Sequence, residues 1–168
     1  MKAKAYTDGS CSGNPGPMGW AALVMMTKED NDWALKDYIR LKAKFDPDPN
    51  GTNNRAEIMG VIEALKMIKK ENRKHCDIVI YLDSLWVRCS LDGTYRKVKK
   101  NLDLLSKAAG LMAQYKSCSL RYVQGHAGEA YNEIADNYAV SARTTQAEFD
   151  LMPPAIMALR STTNMVAE

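Results

Sequence analysis

Apolar and polar positions along the chain follow two periods, and the places where the period changes mark the elements. Residues 3–8 form a strand-like stretch that ends on Thr7-Asp8. Gly9 to Pro17 is dense in turn formers and reads as a loop. Trp20 to Thr27 is a second apolar run, short enough for a strand. From 33 to 45 the chain alternates. Leu35, Asp37, Ile39, Leu41, Ala43 and Phe45 share one parity, and Lys36, Arg40, Lys42 and Lys44 the other. That is the pattern of a half-buried strand, with Asp37 as its misfit. Short links between these runs imply an antiparallel meander.

After the turn at Asp46 to Gly51 the period lengthens to three and four residues. Thr52 or Asn53 can cap a helix reaching about Lys70, with Ile58, Val61, Ile62, Leu65 and Ile68 on its apolar face. Ile78 to Leu82 reads as a strand ending on Asp83, and Ser84 as the cap of a short helix through Cys89. Asn101 to Tyr115 is helical by period, with Leu102, Leu105, Ala109 and Met112 on one face. Leu120 to Val123 is the last predicted strand. Gln124 to Gly128 is a loop, and Asn132 to about Ala142 a final helix. The order is β-β-β-α-β-α-α-β-α. Helices between the first, fourth and fifth strands require parallel crossovers. The expectation is an α/β fold: a mixed five-stranded sheet with helices on both faces over residues 1–145. Residues 146–168 form a tail, either a helical extension or disordered.

Composition narrows this picture only modestly. A chain of 168 residues with 46% apolar content suits one packed domain. The net charge of +3 does not identify a polyanionic partner. Arg96, Lys97, Lys99 and Lys100 do lie within five positions, which suits either a solvated loop or a phosphate-binding arm. The four cysteines make no CxxC pair, and with two histidines no zinc-ligand spacing arises. No apolar leader is visible, and the longest apolar run is too short to span a bilayer. The reading is a cytoplasmic, monomeric protein with reduced thiols and no membrane partner.

Four acids carry the candidate chemistry. Asp8 and Asp83 each end a strand, and parallel neighbours would bring both to the carboxyl edge of the sheet, where open α/β sheets bind ligands. Glu57 lies one turn after Asn53, and Asp136 one turn after Asn132. Each acid taken alone is an ordinary cap or surface residue. Together they would repel, since two unit charges about 4 Å apart cost roughly 4 kcal/mol at an intermediate dielectric. Within these motifs Arg55 is the one basic residue at hand to neutralise them. A hard divalent cation such as Mg²⁺ would resolve the repulsion, and a pair of ions could clamp an in-line displacement at phosphorus.

The same segments resemble the type 1 ribonuclease H family. Tyr6 to Pro17 is similar to its first-strand motif, Thr52 to Glu57 to its first-helix motif, and Tyr81 to Ser84 to its fourth-strand motif. Gly125-His126-Ala127-Gly128, followed by Asn132 and Asp136, resembles its mobile loop and last helix. The motifs occur in the family's order. The resemblance implies hydrolysis of the RNA strand of an RNA–DNA hybrid by two metal ions, Mg²⁺ or Mn²⁺, giving 5′-phosphate and 3′-hydroxyl ends. Asp8 would bridge both ions. Asp136 would help hold the ion that activates water, and Glu57 and Asp83 the one facing the leaving oxygen. His126 would shuttle a proton or aid product release, as its ionisation near neutral pH allows.

Selecting RNA requires reading the 2′-hydroxyl. Asn14, Asn53 and Asn54 can donate and accept, and Thr52, Asn132 and the backbone at Gly9 and Cys11 join them as candidate contacts. Two departures from the family matter. Leu85 stands where some bacterial members carry glutamine. The basic stretch from Arg88 to Asn101 is also much shorter than the long tryptophan-rich arm of other members. Trp86 is either core or a surface for deoxyribose. A non-catalytic hybrid-binding module and a related nuclease acting on DNA are the competing readings. Four clustered negative charges disfavour the first, and the asparagines with the glycine-flanked histidine disfavour the second.

Overall fold

The structure, a computed structural model, describes residues 1–27, 38–124 and 130–152. The first half of the expected third strand, the His126 loop and residues 153–168 lie outside the described residues. The elements in chain order are β1 (Lys2–Cys11), β2 (Met18–Thr27), β3 (Tyr38–Asp46), α1 (Asn53–Met67), α2 (Lys70–Arg73), β4 (Asp77–Leu82), α3 (Leu85–Leu91), α4 (Leu102–Met112), β5 (Ser117–Tyr122), α5 (Ala130–Thr145) and β6 (Phe149–Leu151). No helix among the described residues is long and apolar enough to cross a membrane.

The strands form one sheet in the order β5-β4-β1-β2-β3-β6. β1, β2 and β3 are an antiparallel meander. β4 and β5 join β1 in parallel, as crossover connections demand. The mixed α/β architecture agrees with the sequence reading, but the sheet has six strands rather than five. β6 pairs antiparallel with Leu41–Ala43 on the edge of β3. Three residues are too few to show alternation in sequence. Their anchors are tertiary: Phe149 packs edge-on against Tyr138 at 5.1 Å, and Arg40 Nε donates to Asp150 Oδ1 at 2.7 Å. So this part of the tail is neither helical nor loose.

Two cores flank the sheet. On one face α1, α3 and α4 bury Ala3, Ala5, Ala22, Val24, Ile78, Ile80 and Leu82 against Ile58, Val61, Ile62, Leu65 and Ile68. The predicted apolar face of α1 is therefore the observed one. On the other face α5 covers Tyr6, Ala21, Leu23, Met25, Ile39, Leu41 and Ala43. The face assigned to α4 needs correction. Leu105 and Ala108 are buried, whereas Leu102 and Ala109 face solvent. Apolar residues span a wide sector of that helix, opposite Asp103, Ser106 and Lys107, so spacing alone did not select the buried stripe within it.

The carboxyl end of α1 is closed by side chains from elsewhere in the fold. The buried Tyr115 hydroxyl donates to the Leu65 carbonyl at 2.6 Å, and Arg73 Nε donates to the Ile68 carbonyl at 2.9 Å. These donors satisfy carbonyls that a helix end leaves without partners. Arg73 also places positive charge at the negative end of the helix dipole. This fixes the far end of the helix that carries Glu57. Tyr115→Phe should therefore lower the unfolding free energy by about 1–3 kcal/mol, the cost of leaving a buried carbonyl unmet. Urea denaturation measures this, and an unchanged midpoint would mean that the Leu65 carbonyl finds another donor.

Candidate active site

The acids meet where β1 and β4 diverge. The last parallel pair between these strands is Tyr6 with Tyr81. Asp8 and Asp83 lie two residues beyond it, Asp8 within β1 and Asp83 in the bend that follows β4, so the two stand near one level. β1 itself does not end at Asp8. It continues to Cys11 because Gly9, Ser10 and Cys11 still pair with Trp20, Gly19 and Met18 of β2. Asp8 is thus held within a strand rather than on a loose end.

Glu57 arrives from the opposite face of the sheet. A Cβ built on Gly9 would lie 2.3 Å from the Ala56 carbonyl carbon and 2.4 Å from the Glu57 nitrogen. Only a residue without a side chain lets α1 come so close to β1. Gly60, one turn on, keeps the helix down, since its Cβ would stand 3.0 Å from the Asp8 carbonyl oxygen. The Gly9 N–H donates to Asp8 Oδ1 at 2.8 Å and also serves the Glu57 carboxylate. As a result, ligand oxygens of Asp8, Glu57 and Asp83 lie within 4.8 Å of one another. Asp136, on α5, comes within side-chain hydrogen-bonding reach of Asp8 and acts on Asp83 through its charge.

Burial makes this cluster costly for anions. Asp8 is 2% exposed and Glu57 9%. Burial first, then the neighbouring carboxyls Asp136 and Asp83, push Asp8 up to about 8. Burial, followed by the charge of Asp8, raises Glu57 well above the usual carboxylate range, and burial likewise raises Asp83. Asp8 Oδ2 and Glu57 Oε2 are buried with no hydrogen-bond donor. Arg55, the one neutraliser considered from sequence, turns away. It forms a bidentate pair with Asp103 at 3.0 and 2.8 Å and also donates to Asn101 Oδ1 at 3.2 Å. Two buried carboxylate oxygens without donors, one from β1 and one from α1, with Asp83 beside them, are the ligand type that a hard divalent cation takes.

Around this centre the other expected residues divide. Thr52 is the cap of α1, its hydroxyl accepting from Arg55 N–H at 3.1 Å. Asn53 is therefore not the cap, and its N–H donates instead to Asn14 Oδ1 at 3.0 Å. Asn14 adopts a positive φ of 31° beside Gly13 at 86°, so the turn folds its amide back onto the helix start. Asn53 is exposed and Asn54 half-buried, on the rim beside Glu57. The Cys11 thiol reaches the carbonyls of Gly16 and Gly51 at 3.5 and 3.4 Å, tying the glycine-rich turn to the chain before α1. Asn132, expected among the substrate contacts, is 3% exposed. Its Oδ1 is buried and meets no donor, like the oxygens of Asp8 and Glu57.

The basic stretch joins α3 to α4 without regular structure, and Arg96, Lys97, Lys99 and Lys100 are exposed. Trp86, Tyr95, Lys97, Val98, Lys99 and Lys100 line an open groove of about 280 Å³. Trp86 is half-buried, packing on the α1-side core with one part and lining the groove with another. Leu85 is 48% exposed at the first turn of α3. His126 lies outside the described residues. Arg143 was not singled out from sequence. It donates from Nε to Ser10 Oγ at 2.7 Å and packs over Gly19, where a Cβ would stand 2.7 Å from its nitrogen. A lone arginine near a helix end carries no periodic signal that could have marked it.

Comparison with known proteins agrees with this geometry. The RNase H family model matches residues 1–144. A ribonuclease H of Rickettsia massiliae is 35% identical over 159 residues, covering 88% of this chain and 94% of that protein. Among solved structures, the N-terminal RNase H domain of a Mycobacterium tuberculosis protein has a TM-score of 0.70 at 26% identity, covering 86% of this chain and 94% of that one. LC11-RNase H1, solved in complex with an RNA/DNA hybrid, shares the fold with a TM-score of 0.68 at 20% identity, covering 86% of this chain and 98% of that one. The chain therefore belongs to the RNase H family and is an enzyme of that family.

Proposed function

We propose that this protein hydrolyses the RNA strand of RNA–DNA hybrids with divalent cations held by Asp8, Glu57, Asp83 and Asp136. The observation that carries the reading is the pair of buried oxygens, Asp8 Oδ2 and Glu57 Oε2, that meet no donor, while Arg55, next but one to Glu57 in sequence, is committed to Asp103. When bound, Mg²⁺ or Mn²⁺ would neutralise the phosphate and make water nucleophilic at neutral pH. The products are 5′-phosphate and 3′-hydroxyl ends, and the enzyme acts as a monomer inside the cell. Residues 1–145 form the catalytic unit, with 146–168 appended.

The chain's own groups divide the remaining work. Asp8 and Asp83 project from adjacent strands, so they keep a fixed spacing while substrate comes and goes. His126, in its glycine-flanked loop, moves a proton or helps product leave. Asn14 spends its carbonyl oxygen on Asn53 N–H, which leaves its NH₂ to donate to a 2′-hydroxyl. Asn53, Asn54 and the backbone at Gly9 and Cys11 complete the reading of the RNA strand from the minor groove. The Trp86 groove and its lysines hold the DNA strand, the ring against sugar and the ammonium groups against phosphate.

Cleavage of a labelled hybrid beside double-stranded RNA and double-stranded DNA tests the substrate. The hybrid should be cut selectively with Mg²⁺, and Asp8→Asn should lose activity by several orders of magnitude. Equal cutting of duplex DNA, or an active Asp8→Asn, would overturn the reading. Replacing Lys97, Lys99 and Lys100 together by alanine should raise KM and flatten its salt dependence by about one per lost phosphate contact. An unchanged salt slope would remove the arm from the binding surface.

The raised carboxyls also set a pH dependence. Asp8 ordinarily titrates near 3.8 and here near 8, so the folded metal-free protein holds an extra proton between those values. Stability then falls as pH rises through that window, because the unfolded chain binds fewer protons. The thermal midpoint of the metal-free protein should drop between pH 5 and pH 8. Mg²⁺, which requires the ionised form, should restore it at pH 8. Asp8→Asn should flatten the metal-free slope, and a slope equal to that of the wild type would assign the pH dependence elsewhere.

A further inference from the structure

Three tyrosines sit directly beneath the acids on the α5 side of the sheet. Tyr6 of β1 and Tyr81 of β4 are the last registered pair before the strands diverge, and their rings stack at 5.0 Å with 14° between planes. Tyr131, in the first turns of α5, lies 5.5 Å from Tyr6 at 38°. Tyr6 and Tyr131 are buried, and Tyr81 is half-buried. The rings therefore join the three elements that carry Asp8, Asp83 and Asp136.

Simple distances show why this contact matters to the carboxylates. Two strand residues advance about 6.6 Å, which separates Tyr6 from Asp8 and Tyr81 from Asp83. Five helical residues advance about 7.5 Å, which separates Tyr131 from Asp136. Rings in contact at one level thus deliver all three acids to the next level. A stack of flat rings resists sliding and tilting better than branched side chains of similar volume, because its centroid spacing is confined to a narrow range. Four acids that repel one another need that kind of brace.

We propose that Tyr6, Tyr81 and Tyr131 are positioning residues for the metal site, their stacked rings fixing the spacing of Asp8, Asp83 and Asp136. The proposal rests on the metal-site reading above. It goes beyond it by assigning part of the affinity for metal to an aromatic layer that touches neither metal nor substrate.

The test is binding of Mn²⁺ alone, by titration calorimetry or electron paramagnetic resonance, without nucleic acid. Tyr81→Leu and Tyr131→Leu should each weaken Mn²⁺ binding about tenfold, the scale on which outer groups tune a metal site. Tyr81→Phe, which keeps the ring, should bind as the wild type does. Leu41→Ala, in the same α5-side core but away from the acids, should lower the thermal midpoint at least as much and leave Mn²⁺ binding unchanged. Wild-type binding in either leucine variant would overturn the proposal, as would an equal loss in Leu41→Ala. Asp8→Asn separates the two levels. If it loses Mn²⁺ while the leucine variants keep it, only the tyrosine role falls. If it binds Mn²⁺ as the wild type does, the carboxylate site falls and the tyrosine role with it.

Discussion

The approach of α1 to β1 at Gly9 is the constraint on which the rest of the molecule depends. With a Cβ position only 2.3 Å from the Ala56 backbone, the helix and the strand cross nearly backbone to backbone. Nothing wider would let Glu57 share a centre with Asp8, since the two project from opposite sides of the sheet. Gly60 repeats the device one turn later, and Tyr115 with Arg73 holds the far end of the same helix. The helix is therefore pinned at its start, along its length and at its finish. That rigidity keeps mutually repelling carboxylates together, and it explains why a core of ordinary aliphatic residues is needed behind a small polar centre.

The electrostatic arrangement follows from the same constraint. A lone buried carboxylate usually acquires a basic partner or a set of donors. Here the available arginine is spent on Asp103 and Asn101, both at the start of α4. Asp8 and Glu57 are left with each other, the neighbouring acids and a shared N–H from Gly9. Without metal, burial favours the protonated form of Asp8, and cation binding is the alternative. The two compete for the same oxygens, which couples the stability of the fold to the state of the site.

Much of this was legible in the sequence, and for identifiable reasons. Long periodic segments such as α1 announce their buried face. The acids at the ends of apolar runs marked the sheet edge, and the ordered motifs named the family. What escaped detection lacked a local signal. β6 is three residues held by Tyr138 and Arg40, partners more than ten positions away or across the sheet. The buried stripe of α4 is ambiguous because its leucines and alanines span a sector wider than the part that packs. The burial of Asn132 depends on how α5 meets the sheet, and its spacing from Asp136 is the same whether the amide points in or out. The commitment of Arg55 to Asp103 is a contact across 48 residues, which no nearest-neighbour reading can supply.

That last contact has a consequence for how the basic stretch between α3 and α4 can change. The stretch between α3 and α4 is tied at both ends: Tyr95 N–H donates to the Cys89 carbonyl at one, and Arg55 grips Asn101 and Asp103 at the other. Its ends are thus set by the scaffold and not by its own length. Closing a longer flexible loop between fixed ends costs only about 0.6 kcal/mol per doubling. Insertions or deletions between those anchors leave the carboxylates where they are. The stretch is in that sense a replaceable cassette on a fixed frame.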